Sequence, residues 1–120
     1  MRHFGIQLDE IAYGQVAMSC QVREELTQQQ GLIHGGVLST IADVSRGYAA
    51  LTTMDETSEV LTVEFKMNIL RASSSSQIFA HAQVIKAGRT LVVVESTITD
   101  REHTVLAKML STMFRSELRS

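Results

Sequence analysis

The chain has no proline and no tryptophan, and only one cysteine among its 120 residues. The lone thiol, Cys20, excludes an internal disulfide and points to a reducing compartment. Without proline or any repeat, and with apolar residues spread evenly, nothing marks a linker. One domain covering residues 1–120 is expected. No apolar run approaches the roughly 18 residues of a membrane span. The first residues, Met1 to Gly5, lack the apolar stretch of a signal peptide. A cytoplasmic protein is the expectation. Excess charge of one sign is missing too: eleven basic residues face thirteen acidic ones, for a net charge of −2. No basic patch is visible, so duplex nucleic acid is not an expected partner. His3, His34, His81 and His103 stand far apart, and no pair has i, i+4 spacing. Neither a metal site nor a cofactor is expected.

What is present is one helical pattern among strand patterns. From about His34 to Thr53, Val37, Ile41, Val44, Tyr48 and Leu51 fall on one narrow stripe of a helix. Leu38, Ala42, Ser45 and Ala49 form a second face of mostly small residues. Asp43 and Arg46 are the only charged side chains in this stretch, which predicts a helix buried on more than one side. Gly35 and Gly36 cost helix propensity, so they are expected in the turn that leads into the helix.

The remaining segments read as strands. Ile6–Tyr13 and Gln15–Val22 can pair across Gly14. Leu61, Val63, Phe65, Met67 and Ile69 alternate with Thr62, Glu64, Lys66 and Asn68. Ile78–Lys86, Leu91–Thr99 and Val105–Phe114 succeed one another through short turns at Ala87-Gly88-Arg89 and Asp100–His103. An antiparallel meander is the simplest arrangement. Ser73–Ser76 reads as a turn or irregular strand end. The fold class is α+β: one long helix wrapped by a six-stranded antiparallel sheet. Val92, Val94 and Ile98 alternate with Leu91 and Val93, so this strand is apolar on both faces. Self-association would cover the excess, and a homodimer or homotetramer is expected.

Two features carry chemistry. Asp43 has Ser39, Thr40 and Gly47 at i−4, i−3 and i+4, a notch of small residues around a carboxylate. Burial there would raise its basicity, which suits a general base or nucleophile. Pairing with Arg46 one turn away is the plainer alternative. Ahead of the helix, Gly31-Leu32-Ile33-His34-Gly35-Gly36 places bare backbone N–H groups at a helix N-terminus. Such donors can polarise a carbonyl and hold a developing oxyanion.

His34-Gly35-Gly36, six residues and then Asp43 together resemble the signature of hotdog-fold acyl-CoA thioesterases, closest to the PaaI-like branch. Leu61–Phe65, Lys86–Thr90 and Asp100–Ala107 are similar to the later strands and turns of that family. The resemblance implies hydrolysis of an acyl-CoA to the acid and CoA, with CoA entering only as part of the substrate. It implies that Asp43 is the catalytic carboxylate and that the Gly35 N–H polarises the thioester carbonyl. His34 then shapes the loop, and Thr62 helps to position water. Gln28 stands where many relatives carry an Asn. With Gly36, Ser39 and Gly47 it is an expected substrate contact. In that family active sites lie between subunits, so Asp43 and Gly35 can serve one pocket from different chains. Arg71-Ala72-Ser73 departs from a frequent Pro. A non-catalytic protein binding acyl-CoA or a fatty acyl group is the alternative on the same fold. The acyl group itself is not legible.

Overall fold

The structure, a computed structural model, describes residues 5–28, 31–55 and 57–117. His3, with the other residues before Gly5, lies outside the described residues. The chain runs β1 (Ile6–Ala12), β2 (Gln15–Gln21), a short 3-10 turn (Glu24–Leu26), α1 (Gly35–Leu51), β3 (Ser58–Ile69), β4 (Gln77–Ala87), β5 (Leu91–Thr99) and β6 (Val105–Glu117). All six strands form one antiparallel sheet in the order β1-β2-β4-β5-β6-β3. The β4-β5-β6 meander is as expected, and the Ser73–Ser76 run lies outside the strands. β3 crosses over to the far side of β6 and forms one edge.

The β1–β2 hairpin turns at Tyr13-Gly14, where Gly14 has φ +74°. Only glycine reaches that conformation without strain. The Gly14 N–H donates to Thr52 Oγ1 at 2.7 Å, which ties the hairpin to the end of α1.

α1 lies across β2, β4 and β5. Its fully covered face is the small-residue one, and with Val37 and Ile41 of the stripe also covered the helix is buried on more than one side, as expected. Ala42, Ser45 and Ala49 are all 0 % exposed. Small side chains let the helix sit close to the sheet. Ser45 Oγ and Ser96 Oγ meet at 3.1 Å, satisfying both buried hydroxyls. Of the predicted stripe, Val37 and Ile41 are buried, Val44 and Tyr48 are half-buried, and Leu51 is exposed. Ile41, Ile78, Ile98, Val92, Val94, Leu106 and Met109 fill the centre of the core. Each such side chain contributes about 1.5–3 kcal/mol of burial free energy.

β3 departs from regular alternation. Thr62 pairs with Met113 and Glu64 with Thr112, so Val63 is an extra, bulged residue. A bulge inverts the facing of the residues beyond it. Phe65, Met67 and Ile69 pair with Ser111, Met109 and Ala107, whereas Leu61 pairs with Phe114. The five apolar residues of β3 therefore do not share one face, contrary to the expectation from alternation.

Candidate active site

Gly35 and Gly36 are the first two residues of α1, inside the helix rather than in the turn before it. Their N–H groups belong to the first turn, which has no intrahelical acceptors. His34 is the residue before the helix. Its carbonyl accepts from the N–H of Val37 at 3.0 Å and of Leu38 at 3.4 Å. The His34 side chain is exposed and makes no capping bond. A Cβ on Gly35 would stand 3.0 Å from Ile69 Cδ1, whereas one on Gly36 would meet nothing within 4 Å. The bare backbone at Gly36 is open to a ligand.

Asp43 projects from the middle of α1 and its side chain is 59 % exposed. That corrects the expectation of a buried carboxylate, since the covered residues of α1 are its neighbours Ala42, Ser45, Arg46 and Ala49. Arg46 turns the other way. It is 3 % exposed, at the edge of the small-residue face between Ala42 and Ala49. Its Nε donates to Asp43 Oδ1 at 2.9 Å, and its Nη2 donates to the same oxygen. Nη2 also reaches Thr62 Oγ1 at 3.4 Å. The pairing of Asp43 with Arg46 is thus present.

Two clefts meet at Asp43. One, of about 620 Å³, is lined by Val44, Gly47, Tyr48, Leu51, Val60 and Met113, with Ser58 and Glu59 as polar members, and is largely apolar. The other, of about 290 Å³, is lined by Ser39, Thr40, Arg46, Phe65 and Met109. Asp43 borders both. Ser39 and Gly47 accordingly fall on either side of it, as expected, and Thr40 Oγ1 is occupied by a bond to the Gly36 carbonyl at 2.8 Å. Gln28 is not brought to these clefts. It is exposed in the loop closed by the Thr27–Ile33 bridge, with its N–H bonded to the Leu32 carbonyl at 2.7 Å. Thr62 is linked to the carboxylate through Arg46.

Arg46 and Phe65 form a site pair that the sequence pattern did not reveal. A signal existed for Arg46, since it lies four residues after Ala42 and so shares the buried face. Phe65 had none, because the bulge that turns it inward depends on pairing with β6. Elsewhere, burial pushes the Cys20 thiol up from its ordinary range, partly offset by Arg23. Among the described residues no His, Cys, Asp or Glu cluster could hold a metal ion, and no helix is long and apolar enough to cross a membrane.

Comparison with known proteins agrees with this architecture. The sequence profile of the thioesterase superfamily matches residues 30–107, well over half of the chain. A thioesterase family protein from Silicibacter pomeroyi is 36% identical and superposes with a TM-score of 0.92, over 98% of this chain and 88% of that one. The 1,4-dihydroxy-2-naphthoyl-CoA hydrolase of Listeria monocytogenes is 26% identical over 102 residues, 85% of this chain and 83% of the relative. The PaaI protein of the E. coli phenylacetic acid degradation operon shares the fold, with a TM-score of 0.89 at 19% identity over 98% of this chain and 86% of that one. A helix on a six-stranded antiparallel sheet in this order is the hotdog fold, and the chain belongs to the thioesterase superfamily.

Proposed function

We propose that the protein hydrolyses an acyl-CoA to the free acid and CoA, with Asp43 as general base or nucleophile. The observation that carries this reading is the place of Asp43 at the junction of an apolar cleft and a smaller cleft. A thioester set at that junction can lay its acyl group along Val44, Tyr48 and Leu51. The carboxylate takes a proton from water, or attacks the carbonyl carbon itself. On the first route the water oxygen forms the new C–O bond and the C–S bond breaks. The departing thiolate takes the proton from Asp43 and leaves as the thiol. On the second the carboxylate oxygen displaces the thiolate, which is protonated by water. A further water then hydrolyses the mixed anhydride, releasing the acid and restoring Asp43.

The carbonyl oxygen needs a donor within about 3 Å. Gly35 is the expected one, yet it lies eight residues before Asp43, and a helix rises 1.5 Å per residue. The two are then roughly 12 Å apart along one helix, too far to act on one carbonyl. A second copy of the chain, its helix antiparallel, would bring its own Gly35 N–H to the first copy's Asp43. The exposed edge strand β3, with Leu61, Val63 and Phe65 more than half exposed, offers a surface for that pairing. The working unit is then at least a homodimer of single-domain subunits, acting in the cytoplasm. Gly36, Ser39 and Gly47 contact substrate, His34 holds the loop, and Thr62 acts through Arg46. Gln28 would join the site only across the subunit interface.

The Asp43–Arg46 ion pair favours a second reading, a protein that binds acyl-CoA without turnover, because the carboxylate is already engaged. One experiment separates them. CoA release is monitored over aryl, short, medium and long acyl-CoAs, with the wild type and Asp43→Ala. Turnover that falls by about 10²–10⁴-fold in the variant supports hydrolysis. Full activity in Asp43→Ala refutes it. Binding without release by the wild type supports the second reading.

A further inference from the structure

Arg46 has features that stability does not explain. A guanidinium carries five N–H donors and is rarely buried unless they are satisfied. Here Nε and Nη2 are spent on Asp43 and Thr62, while Nη1 is buried with no hydrogen-bond partner. The guanidinium carbon lies 4.7 Å from the centroid of the Phe65 ring, a cation–π contact. The acidic partner is 59 % exposed. A pair with one end in water contributes about 0–1 kcal/mol. An unsatisfied buried N–H costs about 1–3 kcal/mol. An apolar residue of similar length would serve packing better.

The strand opposite is arranged around this side chain. Thr62 and Phe65 are three apart, so in a regular strand they would face opposite sides of the sheet. The bulge at Val63 turns both toward α1. One gives Arg46 a hydroxyl acceptor, and the other gives it a ring face. Bulges near functional sites commonly re-aim a side chain in this way.

We propose that Arg46 is a positioning residue for the reaction, seated by Thr62, Phe65 and the β3 bulge. It grips Asp43 by Oδ1 alone and so presents Oδ2 to the thioester. Both of its nitrogens converge on that one oxygen, which leaves Oδ2 out of the ion pair. Asp43 borders the smaller cleft together with Ser39, Thr40, Arg46 and Phe65. This inference rests on the assignment of Asp43 as the reacting carboxylate.

The test is steady-state kinetics and thermal melting of Arg46→Met and Arg46→Lys, beside Asp43→Ala. In Arg46→Met, kcat is expected to fall by about 10–100-fold with KM changed less than about threefold. Its melting temperature is expected to stay level or rise, since the desolvated charge is gone. Arg46→Lys keeps the charge but cannot make the two-nitrogen grip. Its kcat is expected about 3–10-fold below wild type, a partial rescue. Wild-type kcat in Arg46→Met overturns the inference. So does a raised KM with unchanged kcat, which would make Arg46 a substrate contact. A lowered melting temperature with no rescue by lysine also overturns it, since that is the pattern of a structural residue. Should Arg46→Met fail to fold, Arg46→Lys decides alone, with wild-type kcat as the refuting result. An active Asp43→Ala would instead remove the functional reading itself. An inactive Asp43→Ala beside a fully active Arg46→Met would remove only the role of Arg46.

Discussion

Gly47 sits in the interior of α1, where glycine is expensive, and it lines the larger cleft. Relative to alanine, a helix-interior glycine costs about 0.8–1.0 kcal/mol in backbone entropy and lost packing. A Cβ built there meets nothing within 4 Å, so no clash offsets the gain. Gly47→Ala should therefore stabilise the protein by close to that amount. A domain of this size has an unfolding entropy near 2.1 cal/mol/K per residue, so the melting temperature should rise by about 3–4 °C. The glycine persists, on this reasoning, because bare backbone there forms one wall of the cleft. Gly47→Leu would project a four-carbon side chain into that space. Its kcat/KM for long or aryl acyl-CoAs should fall at least about tenfold, while acetyl-CoA turnover changes little, since each lost methylene contact is worth about 1–3 kcal/mol. Thermal melting and CoA release over a chain-length panel read both effects. A lower melting temperature for Gly47→Ala would refute the packing argument. An equal loss on every acyl-CoA for Gly47→Leu would refute the placement of the acyl group.

Two further predictions concern the fold around the site. Deleting Val63 removes the bulged residue and leaves the Thr62–Met113 and Glu64–Thr112 pairs adjacent, so the protein should fold with a loss under about 2 kcal/mol. Deleting Lys66, which is paired in register with Leu110, inverts the facing of Met67 and Ile69 and should prevent folding; equal urea midpoints for the two deletions would contradict this. Asp55 Oδ1 accepts from Thr57 N–H, Thr57 Oγ1 and Ser58 Oγ, and these bonds hold its carboxyl below the usual range. A lowered native pKa gives stability that is present above the unfolded value and is lost as pH falls through the native one. Asp55→Asn should thus be less stable than wild type at pH 7, with the gap closing below about pH 4, as read by urea melts at both pH values.

Some of this protein is written locally in its sequence. Helix and strand periods depend on neighbours a few residues away, so α1, the β1–β2 hairpin and the β4-β5-β6 meander were legible from spacing alone. The Asp43–Arg46 pair was legible too, because i, i+3 residues meet on any helix. The glycines before Asp43 marked the helix start, although both prove to be helical. Other features depend on contacts far along the chain. That α1 packs on its small-residue face is set by Ser96 and its neighbours on β5, with Ser96 standing 51 residues beyond Ser45. The bulge at Val63 exists only in the pairing with β6, and with it the inward turn of Phe65. The exposure of Asp43 depends on which residues of α1 the sheet covers, which no helical wheel reports. The sequence alone determined which residues could do chemistry, since side-chain identity and helical spacing are local. The tertiary structure alone decided which of them meet, because the facing of an edge strand and the depth of an arginine depend on partners distant in the chain.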